Sequence, residues 1–542
     1  MNNLILYVVV AIYAAAVGGL GYLAYSRTKS NKDYLIAGGN NHPVVMALAY
    51  GSTFISTSAI VGFGGNAGMF GFSLLWLTVF NIFFGIFIAF VVFGKRTLRV
   101  GRNLDSQTFP EFLGRRYDSS FIQRFAAVVI AIGMPLYTAA VMIGAARFLE
   151  QTLQIDYSVS VIAFAVIVAG YVMTGGLKGV VYTDALQGSI MFVGMTLLLV
   201  MTYNKLGGPL EAHQALTALT AKLPASLAAK GHQGWTSMPA FGSEYWWVVV
   251  STLVMGVGIG VLAQPQLIVR YLTVKNPRDL NRAVVAGGVF ILMMTGVAFT
   301  VGALTNVFFD QEAGKLSLMA SIDPATGQPN VDRIIPLFIN TAMPSWFSYL
   351  FMLTLLSASM STLSGQFHVI GTSISHDLFR PGDGSKMGNR LLLNRIGLLV
   401  GLLFTVWLSF ALPPGIIAAA TAIFFGVCAA AFLPAYAGGL FWKRSTRTGA
   451  IASMLVGTGT SLFMLLFTYA KGSASLGVAK LLFGKEAVFG FPWTVVDPIV
   501  ISLPLAALTM VAVSLVTQPV EKTLLERCFS QRDLDRVGVE QA

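Results

Sequence analysis

Apolar runs of about 20 residues recur from one end of the chain to the other, at 3–26, 43–71, 73–94, 121–150, 157–174, 180–203, 245–274, 283–309, 333–375, 390–411, 416–441, 447–470 and 494–517. Each is long enough to cross a hydrocarbon layer of ~30 Å as an α-helix. Lipid satisfies no backbone N–H or C=O, so a chain with this pattern folds as a helical bundle or a closed barrel. A barrel would alternate apolar and polar residues in short segments, and these runs do not. Only 11% of the 542 residues are charged, and the mean hydropathy is +0.73. That is too little charge to cover a soluble protein of this length. The expectation is an all-α polytopic membrane protein with 13 transmembrane helices.

The loops between the runs set an orientation, because Lys and Arg gather on the cytoplasmic side. With the N-terminus outside, the inner loops hold Arg27, Lys29 and Lys32, then Lys95, Arg96, Arg99, Arg102, Arg115 and Arg116. They also hold Arg270, Lys275, Arg278 and Arg282, then Arg380, Lys386, Arg390 and Arg395, then Lys443, Arg444 and Arg447. Arg124 and Lys178 sit at inner helix ends, and the tail adds Lys522, Arg527, Arg532 and Arg536. These are most of the 35 basic residues, and the reverse topology would put them outside. The net charge of +12 is therefore a topology signal first. Attraction to anionic lipid is a by-product, and no nucleic-acid partner is implied. The expected location is the plasma (cytoplasmic) membrane.

Residues 1–42 are read as an N-terminal extra helix with an inner loop. No basic residue precedes that apolar run, so it reads as a retained helix and not a signal peptide. Residues 43–203 and 245–441 are two five-helix sets, separated by an extracellular segment at 204–244. Two more helices fill 442–517, and 518–542 is a cytoplasmic tail. The segment 204–244 contains "LEAHQALTALTAKLPASLAAK", either a surface helix over the entrance or a plain surface loop. Cys428 lies in an apolar run and Cys528 in the tail, a pair that supports neither a disulfide nor a metal site.

Two runs are interrupted. The run "ALAYGSTFISTSAIVGFGGNAGMFG" carries Gly51, Gly62, Gly64, Gly65, Gly68 and Gly71, and the run "VMGVGIGVLAQPQLIVR" carries Gly256, Gly258, Gly260, Gln264 and Pro265. They fall at corresponding places in the two five-helix sets. Broken segments at matching positions of two halves point to an inverted-repeat transporter, because a break frees backbone groups at a depth where only a cavity or a ligand satisfies them. The plainer account is close helix packing, for which Gly and Ser are common in membranes.

The stretch "LLSASMSTLSG", residues 355–365, places five hydroxyls in an apolar helix. Positions 358, 361, 362 and 365 share one helical face: Ala358, Ser361, Thr362 and Gly365. A monovalent hard cation needs only oxygen ligands, and neutral dipoles suffice for one charge. Hydroxyls of Ser361 and Thr362 with carbonyls of the broken 43–71 helix would form such a cage. On this helix alone, hydroxyls bonded back to the carbonyl four residues earlier and packed against a neighbour account for the stretch better.

"LLSASMSTLSGQFHVIGTSISHDLF" resembles the eighth core helix of the sodium:solute symporter family. "KDYLIAGGN" resembles the segment after the family's first, extra helix. "GGLKGVVYTDALQG", with Thr183, Asp184 and Gln187, resembles the fourth-to-fifth helix junction. "AQPQLIVRYLTV" and "GGLFWKRSTRTGA" resemble the sixth-helix end and the tenth-to-eleventh junction, and "IGAARFLEQT" resembles the proline-transporting branch. The resemblance runs in order from about residue 30 to 460 and matches the topology read above. It implies a five-plus-five inverted-repeat core, like that of the amino acid–polyamine–cation and neurotransmitter symporters, with one extra N-terminal and two extra C-terminal helices. It implies sodium-driven alternating access. Carried over residue by residue, it places sodium on the backbone oxygens of Ser52, Ile55 and Ala358 and the hydroxyls of Ser361 and Thr362. It places Asp184 on the sodium path or, with Ser364, at a second ion site. Asp184 is the one charged residue expected well inside a span, where burying a carboxylate costs about 2.5–3.5 kcal/mol. Gly365 supplies no hydroxyl, which weakens a second sodium site. Phe54 stands where the family's proline transporters carry an aspartate, which weakens a proline assignment. His368, one turn further, is either a packing residue or a proton-linked group.

The solute is expected beside the ion, with Thr53, Phe54, Ser56, Thr57, Asn81, Tyr137 and Gln264 as contacts. The set is polar and uncharged, and no Lys or Arg is expected mid-span to clamp an acid. A carboxylate would instead meet the amides of a half-helix N-terminus. A small organic acid or amino acid is favoured. ATP drive is not supported, since "GVAKLLFGKE" lacks the phosphate-loop spacing and the Ser or Thr after its Lys485. No nucleophile–base set emerges, so the chain is not read as an enzyme. Sodium is the coupling ion, no organic cofactor is implied, and a monomer suffices for transport. A proton-coupled carrier, an uncoupled facilitator of the same fold and a solute-sensing receptor are the rivals.

Overall fold

The structure is a computed structural model that describes residues 3–28, 30–39, 41–153, 155–323, 327–379, 387–413 and 415–530. Lys29, Arg380, Lys386, Arg532 and Arg536 lie outside the described residues. Among those described, 11 helices are long and apolar enough to cross a membrane, joined by the shorter apolar helices Pro43–Phe54 and Tyr157–Gly170.

The elements that matter for the site are, in chain order, α1 (Asn3–Arg27), α2 (Pro43–Phe54), α3 (58–70), α4 (75–103), α5 (Phe109–Arg116), α6 (Ser120–Leu153), α7 (Tyr157–Lys205), α8 (Glu244–Ala263), α9 (Pro265–Tyr271), α10 (Pro277–Ala313), α11 (Ile334–Ala342), α12 (Ser345–Leu378), α13 (Met387–Ala411), α14 (Ile417–Phe441), α15 (Arg447–Phe467), α16 (Ile499–Val516) and α17 (Lys522–Phe529). Helices α12 and α14 are almost wholly buried, whereas α1 and α16 turn most of their surface to lipid. The core is thus built around α12, which packs on α2, α6, α7 and α13.

Both runs read as interrupted are broken, and the run 333–375 differs from the sequence reading in its start. The run 43–71 is two helices, α2 and α3, with extended backbone at Ile55 (φ −92°, ψ 104°) between them. The run 245–274 is likewise two, with Gln264 (φ −78°, ψ 115°) before Pro265, which opens α9. Proline lacks the N–H a continuing helix requires, so the break falls there. Neither break falls on a glycine. The glycines serve close approach: a Cβ on Gly65 would run into the Val331 carbonyl, and one on Gly302 into the Gly64 carbonyl. The runs 157–174 and 180–203 are two helices, as read, that meet at the non-helical Gly176 (φ 55°, ψ −154°), and α7 names the pair. The run 333–375 begins with the separate helix α11 before Pro344 starts α12.

One end of the bundle carries the basic loops. Arg102 donates to the carbonyls of Val274 (2.6 Å) and Lys275 (2.7 Å), and Arg116 to Gly439 O at 2.7 Å. Asn103 reaches Cys528 O at 3.2 Å, which ties α17 to the same end. There Arg115 pairs with Glu111 at 2.6 Å. Burial alone would raise the Glu111 carboxyl, but His376, the Gln107 amide and Arg115 bring it down to about 2. At the other end the segment 204–244 is partly helical (Pro209–Ala218) and firmly anchored. Trp235 is buried and donates its Nε1–H to Gly68 O at 3.0 Å. Lys222 pairs with Asp310 at 2.7 Å. This segment therefore caps α3 and is more than a loose surface loop.

Candidate ion and solute site

His42 starts α2 by accepting from the Val44 N–H, with Pro43 at the first helical position. The helix stops at Phe54, so the last carbonyls have no amide four residues on. Two hydroxyls of α12 meet them instead. Ser361 Oγ donates to Ser52 O at 2.8 Å, and Thr362 Oγ1 lies 3.1 Å from Thr53 O and 3.4 Å from Ser52 O. Ser361 Oγ also lies 3.2 Å from Ala358 O. Four of the five expected sodium oxygens thus sit in one hydrogen-bonded cluster, and all four residues are fully buried. The fifth residue, Ile55, is the break itself and is buried too. Each hydroxyl keeps lone pairs when its proton turns to a carbonyl, so the donor set is hard, uncharged and all oxygen.

Beyond the break, Ser56 Oγ accepts from the Ser58 N–H at 3.1 Å and opens α3. Here the chain lines a small cavity of about 20 Å³ together with α4, α6, α8, α10 and α14. Of the expected solute contacts, Phe54, Ser56, Asn81 and Tyr137 line it. Tyr137 OH lies 3.5 Å from Ser56 Oγ. Asn81 is buried and its Oδ1 has no hydrogen-bond partner. The other three face elsewhere. Thr57 donates to Val141 O at 2.8 Å, Gln264 to Gly260 O at 3.2 Å, and Thr53 turns toward Asp184. The sequence reading missed Thr295, Thr421, Phe299 and Phe425, which close the cavity from later helices. Periodicity marks them only as buried, so no local signal singles them out. Among the described residues, no charged side chain lines the cavity.

Asp184 lies on α7, against the break. Its Oδ2 accepts from Thr53 Oγ1 at 3.1 Å, and Ser364 Oγ lies 3.4 Å from its Oδ1. The expectation that it is the one charge inside the spans is corrected by Arg270. That residue was read as part of an inner loop, yet its side chain is 1% exposed and its Nη2 donates to Asp184 Oδ2 at 2.7 Å. It also donates to Thr53 Oγ1. The break at Gln264–Pro265 is the cause, because it lets the short helix α9 stay in the core with Arg270 aimed inward. The expectation of no mid-span cation to clamp an acid is corrected by the same residue. A lone intramembrane acid was the signal, since a buried carboxylate calls for a partner. Gln187 donates to Tyr13 OH of α1 at 3.1 Å, and His368 packs on Tyr34 with ring centres 5.5 Å apart.

A family model described as "Sodium:solute symporter family" matches residues 34–457. The chain belongs to the sodium:solute symporter family. This symporter is 26% identical to a sodium/pantothenate symporter of Haemophilus influenzae, over 88% of this chain and 95% of that one. It is 25% identical to an osmoregulated proline transporter of Bacillus subtilis, over 91% and 93% of the two chains. A solved structure of a Na⁺-coupled sialic acid symporter, in a substrate-bound outward-open state, superposes with a TM-score of 0.74 at 19% identity, covering 95% of this chain and 98% of that one. The symporter shares that helical fold. It is a multi-pass membrane transporter that handles a small-molecule solute, and it is not an enzyme.

Proposed function

We propose that the chain imports a small organic solute, an organic acid or amino acid, by sodium-coupled alternating access across the plasma membrane. The core is read as two inverted five-helix repeats, with α1 as the extra N-terminal helix and α15 and α16 as the extra C-terminal ones. The N-terminus lies outside, the C-terminus inside, and one monomer is a complete carrier. Sodium is held by the carbonyls of Ser52, Ile55 and Ala358 and the hydroxyls of Ser361 and Thr362. It leaves inward past Asp184 and Ser364. The solute sits against Phe54, Ser56, Asn81 and Tyr137. One observation carries this reading: Ser361 and Thr362 converge on the two carbonyls that the α2–α3 break leaves free.

The break couples the two ligands. Ser52 and Thr53 belong to the ion cluster, whereas Phe54 and Ser56 belong to the cavity wall, so one short segment answers to both. Each charge carried inward gains about 2.3 kcal/mol per 100 mV, which makes uptake steep in membrane potential. The likeness to pantothenate, proline and sialic acid symporters supports a carboxylate-bearing solute. The test is uptake into proteoliposomes from a panel of such solutes, with and without an inward sodium gradient. Uptake that is equal in both conditions, or wild-type uptake by the Ser361→Ala/Thr362→Ala double variant, refutes the proposal.

A further inference from the structure

The end of the bundle opposite the basic loops holds a cavity that the proposed function leaves unused. Its volume is about 220 Å³, against about 20 Å³ for the cavity beside the break. It lies between the end of α6, the start of α7, the turn before α11 and the link from α13 to α14. The two cavities are stacked. On α6, Ile143 lines the upper one and Tyr137 the lower one, six residues or about 9 Å along the helix. Ile417, fully buried, fills the level between them. A Cβ on Gly62 would lie 2.7 Å from Ile417 Cγ2, and one on Gly144 would lie 3.5 Å from Ile417 Cδ1 and 3.3 Å from Thr57 Oγ1. Helices α3, α6 and α14 thus close on one another there.

Charge distinguishes the upper cavity from the lower. Among the described residues, Arg147, Glu150, Asp323, Asp332 and Arg333 line it. Four of them pair off: Arg147 donates to Glu150 Oε2 at 2.8 Å, and Arg333 to Asp323 Oδ1 at 3.3 Å. Asp332 is the acid left over. It is 5% exposed, and its Oδ1 is buried without a hydrogen-bond partner. The side chain is held in place, because the Asp332 N–H donates to Asn330 Oδ1 at 3.0 Å. Its carboxyl lies beside the amides of Ile417 and Gly415 and feels the charges of Lys471 and Arg147. The Arg147 guanidinium stacks 4.2 Å from the ring centre of Tyr157, whose OH donates to Ser409 O at 2.7 Å.

These features select a ligand. A buried carboxylate oxygen without a donor is costly, and a ligand that brings a donor removes the cost. A plain anion would meet three acids against two arginines. A multivalent metal ion calls for several converging acidic or imidazole ligands, and the described residues hold no such group. A zwitterion suits both signs. Its ammonium is the donor that Asp332 lacks, and a guanidinium has five N–H donors, more than one carboxylate partner uses. We propose that this cavity is an outer capture site for a zwitterionic solute, an α-amino or α-imino acid, with Asp332 taking the ammonium group and Arg147 or Arg333 the carboxylate. The inference rests on the solute-symport reading above and narrows its solute to the amino-acid class. The captured solute waits one layer above the lower cavity, with Ile417 between the two.

The experiment is uptake by the full-length carrier in proteoliposomes under an inward sodium gradient. The solutes are the zwitterions L-alanine, L-proline and L-glutamine and the amine-free anions propanoate, lactate and cyclopentanecarboxylate. The wild type is expected to take up at least one zwitterion and to discriminate against the anions. Asp332→Asn keeps the shape of the side chain and removes its charge. It is expected to raise the KM for that zwitterion at least about tenfold, with the sodium half-saturation unchanged, and Asp332→Glu is expected to recover part of the loss. A merely structural aspartate would change the amount of carrier in the membrane, and the maximal rate with it, and leave KM alone. The wild-type panel needs no variant, so it decides the matter where Asp332→Asn fails to insert. Sodium-driven uptake confined to the anions overturns the inference and leaves the symport reading standing. A wild-type KM in a transporting Asp332→Asn carrier does the same. Uptake that ignores sodium altogether overturns the symport reading itself, and this inference with it.

Discussion

Replacing Ser361 by alanine separates the ion role of that hydroxyl from its structural role. In the structure Ser361 Oγ donates to Ser52 O at 2.8 Å and lies 3.2 Å from Ala358 O. An intramolecular hydrogen bond contributes about 0.5–1.5 kcal/mol net. The Ser52 carbonyl keeps Thr362 Oγ1 at 3.4 Å as a partner, so Ser361→Ala is expected to destabilise by only ~1 kcal/mol. Its effect on sodium is larger. An oxygen dipole facing a buried charge is comparable to a hydrogen bond to a charged group, about 1.5–3 kcal/mol. That predicts a roughly 10- to 100-fold rise in the sodium concentration giving half-maximal uptake. Thr362→Ser keeps its hydroxyl and is expected to change this value little, whereas Thr362→Ala is expected to resemble Ser361→Ala. Both hydroxyls share the Ser52 carbonyl, so the double variant is not expected to be additive. The assay is solute uptake against sodium concentration, with thermal melting of the detergent-purified protein as the control for folding. A sodium dependence unchanged in Ser361→Ala would refute the cation cage. A melting loss far beyond ~1 kcal/mol with the same sodium dependence would show a purely structural hydroxyl.

Asn81→Ala is expected to raise the solute KM with sodium half-saturation nearly unchanged, because Asn81 Oδ1 has no protein partner to lose; an unchanged KM would remove Asn81 from the solute site. Trp235→Ala removes a buried ring and its bond to Gly68 O. It is expected to cost about 3–5 kcal/mol and to expose 204–244 to protease, and an unaltered cleavage rate would count against the anchored cap. Asp332 reports on the same face through pH. Burial pushes its carboxyl up to about 7, against the Ile417 and Gly415 amides and the charges of Lys471 and Arg147. A group that binds its proton more tightly when packed favours the packed state at low pH. The contact between the 331–333 turn and the start of α14 is therefore strongest below the ordinary carboxylate range and weakens as pH rises to about 7. The wild-type melting temperature is expected to fall from pH 5 to 7.5, with Asp332→Asn flattening that slope. An equal slope in both proteins would place the titration elsewhere.

Part of the hydroxyl–carbonyl cluster was legible from spacing. The i, i+3, i+4, i+7 face of Ala358, Ser361, Thr362 and Gly365 is a local property of one helix, and it does face α2. The cavity was only half legible. Phe54 and Ser56 follow from proximity to the break, whereas Thr421 and Phe425 sit in α14, more than 300 residues away, in a helix where every position reads as core.

The chain on its own determined that it spans a bilayer as helices, because unpaired backbone groups in lipid exclude other solutions. It also showed that two of those helices are interrupted and that a hydroxyl face lies on a third. Where the first interruption falls was decided by tertiary structure, at Ile55 with the glycines spent on close packing, whereas Pro265 marks the second in the sequence itself. Tertiary structure also decided the burial of Arg270. Its charge reads as a loop residue in one dimension, and only the three-dimensional meeting of α7, α9 and α12 brings it to Asp184. The physical reason is that helix length and facing are set by local periodicity, while the partner of a buried charge is set by which helices touch.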